Sequence, residues 1–289
     1  MSRLILALAL SAMGFPQDMA PGAAPAAPKL EFKAPALGDR AEIRIESTFE
    51  LDVESTSIQE PDAKISKQLS FVRTQEFSQV VQELQNGAVK SHRITCSTAK
   101  LQRSGTNLAP VTETSEIEGQ IFVVTRGEKG RSVRLDNGDS APVDADGLGA
   151  WEEVAKLLPT GEAKEGATWK VDAAGLAGLI SVPDLPTPTG SFDVKIEKMA
   201  EGQALLVFTG TLEGKTVKGF DTKVTIADGR LVFDIAKGRP VSFTVAGSLE
   251  ATKEINQKVA KANELRQVDE KVGQVAVKSR KLEVKVEFR

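Results

Sequence analysis

Within residues 41–53 the odd positions read Ala41, Ile43, Ile45, Ser47, Phe49, Leu51 and Val53, and the even positions read Glu42, Arg44, Glu46, Thr48, Glu50 and Asp52. Successive side chains of an extended chain leave on opposite sides, so as a strand this stretch has one dry face and one charged face. The rhythm returns where Leu282, Val284, Val286 and Phe288 alternate with Glu283, Lys285, Glu287 and Arg289. The chain is therefore expected to be mainly β.

Turn signals divide what lies between. A polar interruption at 59–62 precedes Ile65, Leu69, Phe71, Phe77, Val80 and Val81; Asn86-Gly87 then supplies the positive φ of a tight hairpin, and residues 88–101 run back. Gly127 and Gly130 mark a second hairpin, which Asn137-Gly138 closes. Further on, runs such as Phe192-Val194-Ile196, Leu231-Phe233-Ile235 and Val241-Phe243-Val245 are separated by Glu201-Gly202, Glu213-Gly214, Asp228-Gly229 and Gly238, each read as a turn. The expectation is one or more large antiparallel meander sheets, curled or half-barrel-like, because a wide sheet with one apolar face must cover it.

Two helices are expected beside the strands. Residues 150–158 place Trp151, Val154, Ala155 and Leu158 at a 3.6-residue period, with Glu152 and Glu153 in the first turn and Pro159 and Gly161 as the stop. Over 254–271, Ile255, Val259, Ala262, Leu265 and Val268 also fall at helical spacing among good helix formers. A long hairpin joining Val245 to Val275 would use the same residues.

Arg3 followed by the apolar run from Leu4 to Ala12 reads as a secretory signal over 1–14, too short to span a bilayer. Residues 15–36 are dominated by Ala and Pro and are expected to form a disordered spacer. The β-rich region then covers 37–289. Leu37-Gly38-Asp39-Arg40 and Glu165-Gly166-Ala167-Thr168 echo one another at the entry to each part, so two similar halves, 37–158 and 159–289, are considered. The prolines at 183, 186 and 188 mark another candidate boundary.

Leu158-Pro159, Lys164-Glu165-Gly166-Ala167-Thr168-Trp169 and the later Gly229-Arg230-Leu231 together resemble uncharacterised secreted bacterial β-sheet proteins. The likeness covers the second half of the chain. It implies a secreted β fold and brings no catalytic residues with it.

Composition excludes several functions. A net charge of -3, with both signs interleaved along the strands, offers no electrostatic footprint for nucleic acid. No tyrosine and 5% aromatic residues leave little for sugar or single-strand stacking platforms. One cysteine allows no internal disulfide, and with one histidine it cannot build an ordinary zinc site.

His92 must serve any histidine-dependent catalysis, and Cys96 shares its strand face. Four strand residues span about 13 Å, beyond hydrogen-bond reach, so no dyad forms locally, and His92 is read as a partly exposed residue beside Arg93. Asp136, Asp139, Asp144 and Asp146 could offer oxygens to calcium, but Leu148 breaks the EF-hand pattern, and turn and helix-cap roles account for them. Trp151 and Trp169 are assigned to the core. Gly127 and Gly130, with Arg126, Lys129 and Arg131, lack phosphate-loop spacing and are read as a hairpin tip.

No catalytic residues, metal site or cofactor are expected. The reading is an exported, non-enzymatic protein, periplasmic or extracellular, with a binding or structural role. The alternative is a carrier enclosing a hydrophobic ligand such as a lipid, for which an open cavity lined by Phe49, Phe192 and Phe208 would be the sign. The partner is then a hydrophobic small molecule or an envelope protein.

Overall fold

The computed structural model describes residues 29–289 apart from 34, 58–63, 87, 128–129, 143–144, 146–147, 177, 181–184, 186–187 and 261–266. The expected signal over 1–14 and most of the spacer lie outside the described residues.

Among the described residues twelve strands form one open antiparallel sheet: β1 (Arg40–Ser57), β2 (Ile65–Gln85), β3 (Ala88–Gly105), β4 (Leu108–Thr114), β5 (Ile121–Gly127), β6 (Gly130–Leu135), β7 (Thr168–Asp172), β8 (Thr189–Ala200), β9 (Gln203–Lys215), β10 (Asp221–Asp234), β11 (Arg239–Ala260) and β12 (Gln267–Phe288). The spatial order is β6-β5-β3-β2-β1-β12-β11-β10-β9-β8-β7, with β4 paired to β3. The two ribbons that open and close the alternating pattern are thus neighbours at the centre, paired from Ile43–Phe288 to Ser57–Gly273. From β1 the chain steps outward to the edge strand β6. It next appears at the opposite edge, β7, and steps back to β12.

That jump from edge to edge explains the core. The connection between β6 and β7 has to cross the sheet, and it does so over the apolar face, burying Ala145, Leu148, Val154, Leu157, Leu158 and Ala163. These join Ile94, Phe122 and Val124 on one flank and Phe192, Ile196, Leu206, Leu231 and Phe233 on the other in a single hydrophobic core. The expected helix at 150–158 is a short 3-10 helix, Ala150–Leu157, within this crossing; a second one, Ala173–Leu176, follows β7.

The opposite face is charged. Cross-strand and same-strand ion pairs run over it, among them Arg44–Glu76 at 3.5 Å, Lys285–Glu287 at 2.7 Å and Arg280–Asp52 at 3.4 Å. Exposed pairs of this kind contribute little each, but they keep a broad face wet. In the far halves of the long central strands the inward residues Phe49, Leu51, Val53, Leu69 and Phe71 are half-buried.

Three expectations are corrected. Residues 254–260 and 267–271 are strand rather than helix, 261–266 lying outside the described residues: Ile255 faces Gly273 and Glu254 faces Gln274 across the β11–β12 ladder, with Lys271 Nζ 2.5 Å from Glu254. The β11–β12 ladder, which continues from Asn256–Lys271 to Ala260–Gln267, outweighs the helix propensity of Lys, Glu and Gln. Glu213-Gly214 and Asp228-Gly229 are not turns but lie inside β9 and β10. At Gly229 an added Cβ would sit 2.3 Å from the Phe208 ring, so the glycine makes room for an aromatic across the ladder. Ordered chain also begins before residue 37: Lys29 bridges Glu162, and Leu30 is only 2% exposed. Leu30 and Phe32 bring enough apolar surface to dock a segment whose composition reads as spacer.

Other turns fall where glycine demands. Glu201 and Gly202, both at positive φ, join β8 to β9, and Gly238 at φ 64 joins β10 to β11.

Candidate binding site

Residues 29–33 and 35–39 form a strap across one end of the apolar face. Lys33 N–H donates to Gly238 O at 2.9 Å, and Lys33 Nζ donates to Ala236 O at 2.6 Å. Further along, Gly38 N–H donates to Val81 O at 2.9 Å, and Val81 N–H donates back to Asp39 O at 3.1 Å. Gly238 is a tight fit beneath the strap: an added Cβ would lie 2.9 Å from Glu31 O and 2.4 Å from Lys33 Cγ.

Between strap and sheet lies a cavity of about 350 Å³. The strand ends supply its apolar lining: Ala41 from β1, Val81 from β2, Pro240 and Val241 from β11 and Phe288 from β12, with Phe32 and Pro35 from the strap. Ala41, Val241 and Phe288 are inward members of the alternating pattern. Gln79, buried in the wall, adds an amide.

The mouth is ionic. Arg40, Lys237, Arg239 and Arg289 line it with Asp39 and Asp234. Asp39 accepts from Ala36 N–H at 2.9 Å and from Arg239 Nη2 at 2.5 Å, and these two contacts, the backbone one first, hold its carboxyl below the ordinary range. Asp234 is likewise lowered, chiefly by the Lys237 N–H. Glu287, beside the mouth, is pushed down to about 2 by Lys285 and then Arg289. All three carboxylates therefore stay ionised at neutral pH.

His92 lies elsewhere and is not partly exposed as expected; it is 0% exposed. It belongs to the inward set of β3 with Ile94 and Cys96, and Gly149 of the crossing segment rests so close that an added Cβ would be 2.7 Å from His92 Nε2. Arg126 Nη2 donates to Gly149 O at 2.9 Å, and Arg131 Nη1 is 3.9 Å from Glu153. Burial first, then these two guanidiniums, lower the His92 pKa to about 4, so its ring is neutral at physiological pH. The hairpin tip thus turns its arginines inward, which glycine spacing alone does not reveal. Burial raises the Cys96 thiol to about 11, so it is protonated and a poor nucleophile.

The remaining candidates are dispersed. Asp136 accepts from Arg93 at 2.8 Å, and Asp139 is bonded to Asn137 within the turn; Asp144, Asp146 and Lys129 lie outside the described residues. Among the described residues no three His, Cys, Asp or Glu side chains come together as metal ligands. Trp169 packs against the core from edge strand β7, and the side chain of Trp151 is outside the description. Phe192 and Phe208 meet edge to face at 5.8 Å and Phe208 stacks on Phe243 at 5.7 Å, filling the interior, while Phe49 is half-buried on β1. None of these three phenylalanines lines the cavity beneath the strap. Among the described residues no helix is long and apolar enough to cross a membrane.

Comparison with known proteins adds little. No protein-family model and no curated protein matches the chain, so the resemblance read from residues 158–169 and 229–231 has no family model behind it. Among solved structures, one described as lipid-protein interactions in lipovitellin overlaps with a TM-score of 0.41 at 7% identity, over 88% of this chain and 25% of that one. An outer membrane channel from Pseudomonas putida F1 overlaps with a TM-score of 0.24 at 9% identity, over 94% of this chain and 100% of that one. The chain spans about a quarter of the lipovitellin chain.

Proposed function

We propose that this chain is an exported, non-enzymatic binding protein that holds a hydrophobic small molecule beneath its N-terminal strap. The observation that carries the reading is the 350 Å³ cavity, which has an apolar floor built from four strand ends and a lid of chain held largely by backbone hydrogen bonds. A concave apolar pocket with a few convergent polar groups is the usual form of a small-molecule site. Export rests on the Arg3 and Leu4 to Ala12 pattern, which would leave residues 15–28 as a tether ahead of the strap. A structural or scaffolding role is the second reading, favoured by the filled interior around Phe208.

Titration with the neutral fluorophore N-phenyl-1-naphthylamine tests the first reading. The native protein should enhance its emission saturably, and Ala41→Phe, which fills the cavity from a half-buried position, should abolish the enhancement without lowering the melting temperature. Absence of saturable binding, or binding indifferent to Ala41→Phe in a folded variant, rejects the cavity as the site and leaves the scaffolding role.

A further inference from the structure

We infer that the end of the sheet opposite the strap docks on an anionic lipid bilayer, with Ile65, Val217 and Ile255 entering the headgroup layer and Lys67, Lys218 and Lys253 meeting its phosphates. This stands apart from the strap cavity. Of the seven large apolar side chains exposed among the described residues, Leu37 and Leu84 lie at the strap end and the other five toward the opposite one. Three of those five lie within a few rungs of one level of the ladder. Ile65 pairs with Ser55, and Ile255 faces Gly273, which in turn faces Ser57. Val217 lies just beyond the Lys215–Asp221 rung, which continues through Thr252 and Ala276 to Glu54. Ile65 is 60% exposed, Ile255 39% and Val217 76%. From β2 to β10 they span four strand spacings, about 19 Å.

Each of the three has a lysine beside it. Lys67 and Lys253 sit two residues back from Ile65 and Ile255 on the same strand face, about 7 Å further from the end, and Lys218 follows Val217. The described carboxylates at this level are already taken: Glu54 by Lys64 at 2.7 Å, Asp221 by Lys215 at 3.6 Å and Glu254 by Lys271 at 2.5 Å. Among the described residues no carboxylate pairs with Lys67, Lys218 or Lys253; Lys253 Nζ instead lies 5.5 Å from the centre of the Phe220 ring. Cations set just behind exposed apolar tips complement a layer in which phosphates lie above acyl chains. A protein partner would ask for one contiguous patch, whereas a fluid surface can be met at separate points along a sheet end. A second copy docked there would bring the same lysines against one another.

Sedimentation of the full chain with sucrose-loaded vesicles tests this. Vesicles of phosphatidylcholine containing about one-third phosphatidylglycerol should bind it about tenfold more tightly than pure phosphatidylcholine, and added salt should narrow the gap. Ile65→Ser and Val217→Ser should each weaken binding about tenfold with the melting temperature little changed, because both side chains are already exposed. Leu37→Ser, at the strap end, should leave binding as it was. Lys67→Gln combined with Lys218→Gln should remove most of the preference for the anionic vesicles. Absence of binding overturns the inference, as does equal affinity for the two vesicle types. Binding that Ile65→Ser and Val217→Ser leave intact overturns it too, and assigns attachment to another segment such as the apolar run 4–12. Self-association without vesicles that Val217→Ser abolishes would assign the tips to a protein contact and also overturn it.

Discussion

Gly238 joins the fold to the candidate site, and replacing it with alanine should loosen the strap. Two costs are expected. The residue sits at φ 64, where an L side chain costs about 1–2 kcal/mol. The new Cβ would also lie 2.9 Å from the backbone oxygen of Glu31 and 2.4 Å from Lys33 Cγ. The lysine can swing away, but the backbone oxygen moves only with the strap. That movement strains the Lys33 N–H to Gly238 O bond, worth about 1 kcal/mol, and draws Leu30 partly out of the core, for about another 1 kcal/mol. The sum is about 3–4 kcal/mol. Gly138→Ala is the control: its φ is 92, and nothing lies within 4 Å of the added Cβ, so it carries the backbone cost alone. Urea unfolding of both variants gives the contact cost by difference, and hydrogen exchange at the Lys33 and Gly38 amides shows whether the strap has lifted. Equal destabilisation by the two substitutions, with unchanged protection at Lys33, would refute the claim that the strap rests on Gly238.

Two other substitutions test the interior. Gly229→Ala drives a Cβ to 2.3 Å from the Phe208 ring and should cost about 1–3 kcal/mol; combining it with Phe208→Leu should cost less than the sum of the single changes, and strict additivity in denaturant melts would show that the ring is not the obstacle. His92, lowered to about 4 against an ordinary 6.5, is neutral in both folded and unfolded chains above that ordinary value, so its contribution is complete there. As pH falls from about 6.5 to 4 the unfolded chain takes up a proton that the folded chain refuses, and roughly 3 kcal/mol of stability should be lost. Paired melts of the native protein and His92→Leu at pH 7 and pH 4 isolate this from the carboxylates; equal pH dependence in both would refute it.

Strand character was legible because a two-residue period reports directly on the pleat, and in residues 41–53 and 282–288 every position but Ser47 obeys it. The helix expected over 254–271 was a misreading because Ile255, Val259 and Val268 satisfy either period, and the deciding factor, the pairing of 254–260 with 267–274 across the β11–β12 ladder, is not visible in either period. Gly229 failed for the opposite reason. Asp-Gly is a true turn signal, but here the glycine answers to Phe208, a residue in another strand. Likewise His92, read from the sequence as partly exposed, is buried because Gly149 arrives over it from the edge-to-edge crossing.

The cavity shows what alternation can and cannot convey about a site. Ala41, Val241 and Phe288 could be assigned to the inward face from their own strands, but nothing in their spacing shows that their strand ends meet. That meeting follows from β1 and β12 being central neighbours and β11 coming next, a consequence of a chain that steps out to one edge and returns from the other. The strap is harder to read still, since Leu30 and Phe32 alternate with Lys29, Glu31 and Lys33 for only five residues, behind a run of prolines and alanines. Its docking needs a sheet end left open by strands β1, β2, β11 and β12, whose inward residues there include an alanine and valines small enough to leave space. Small side chains at a strand end under a docked segment make the cavity, so enlarging Ala41 should close it without touching the sheet's hydrogen bonds.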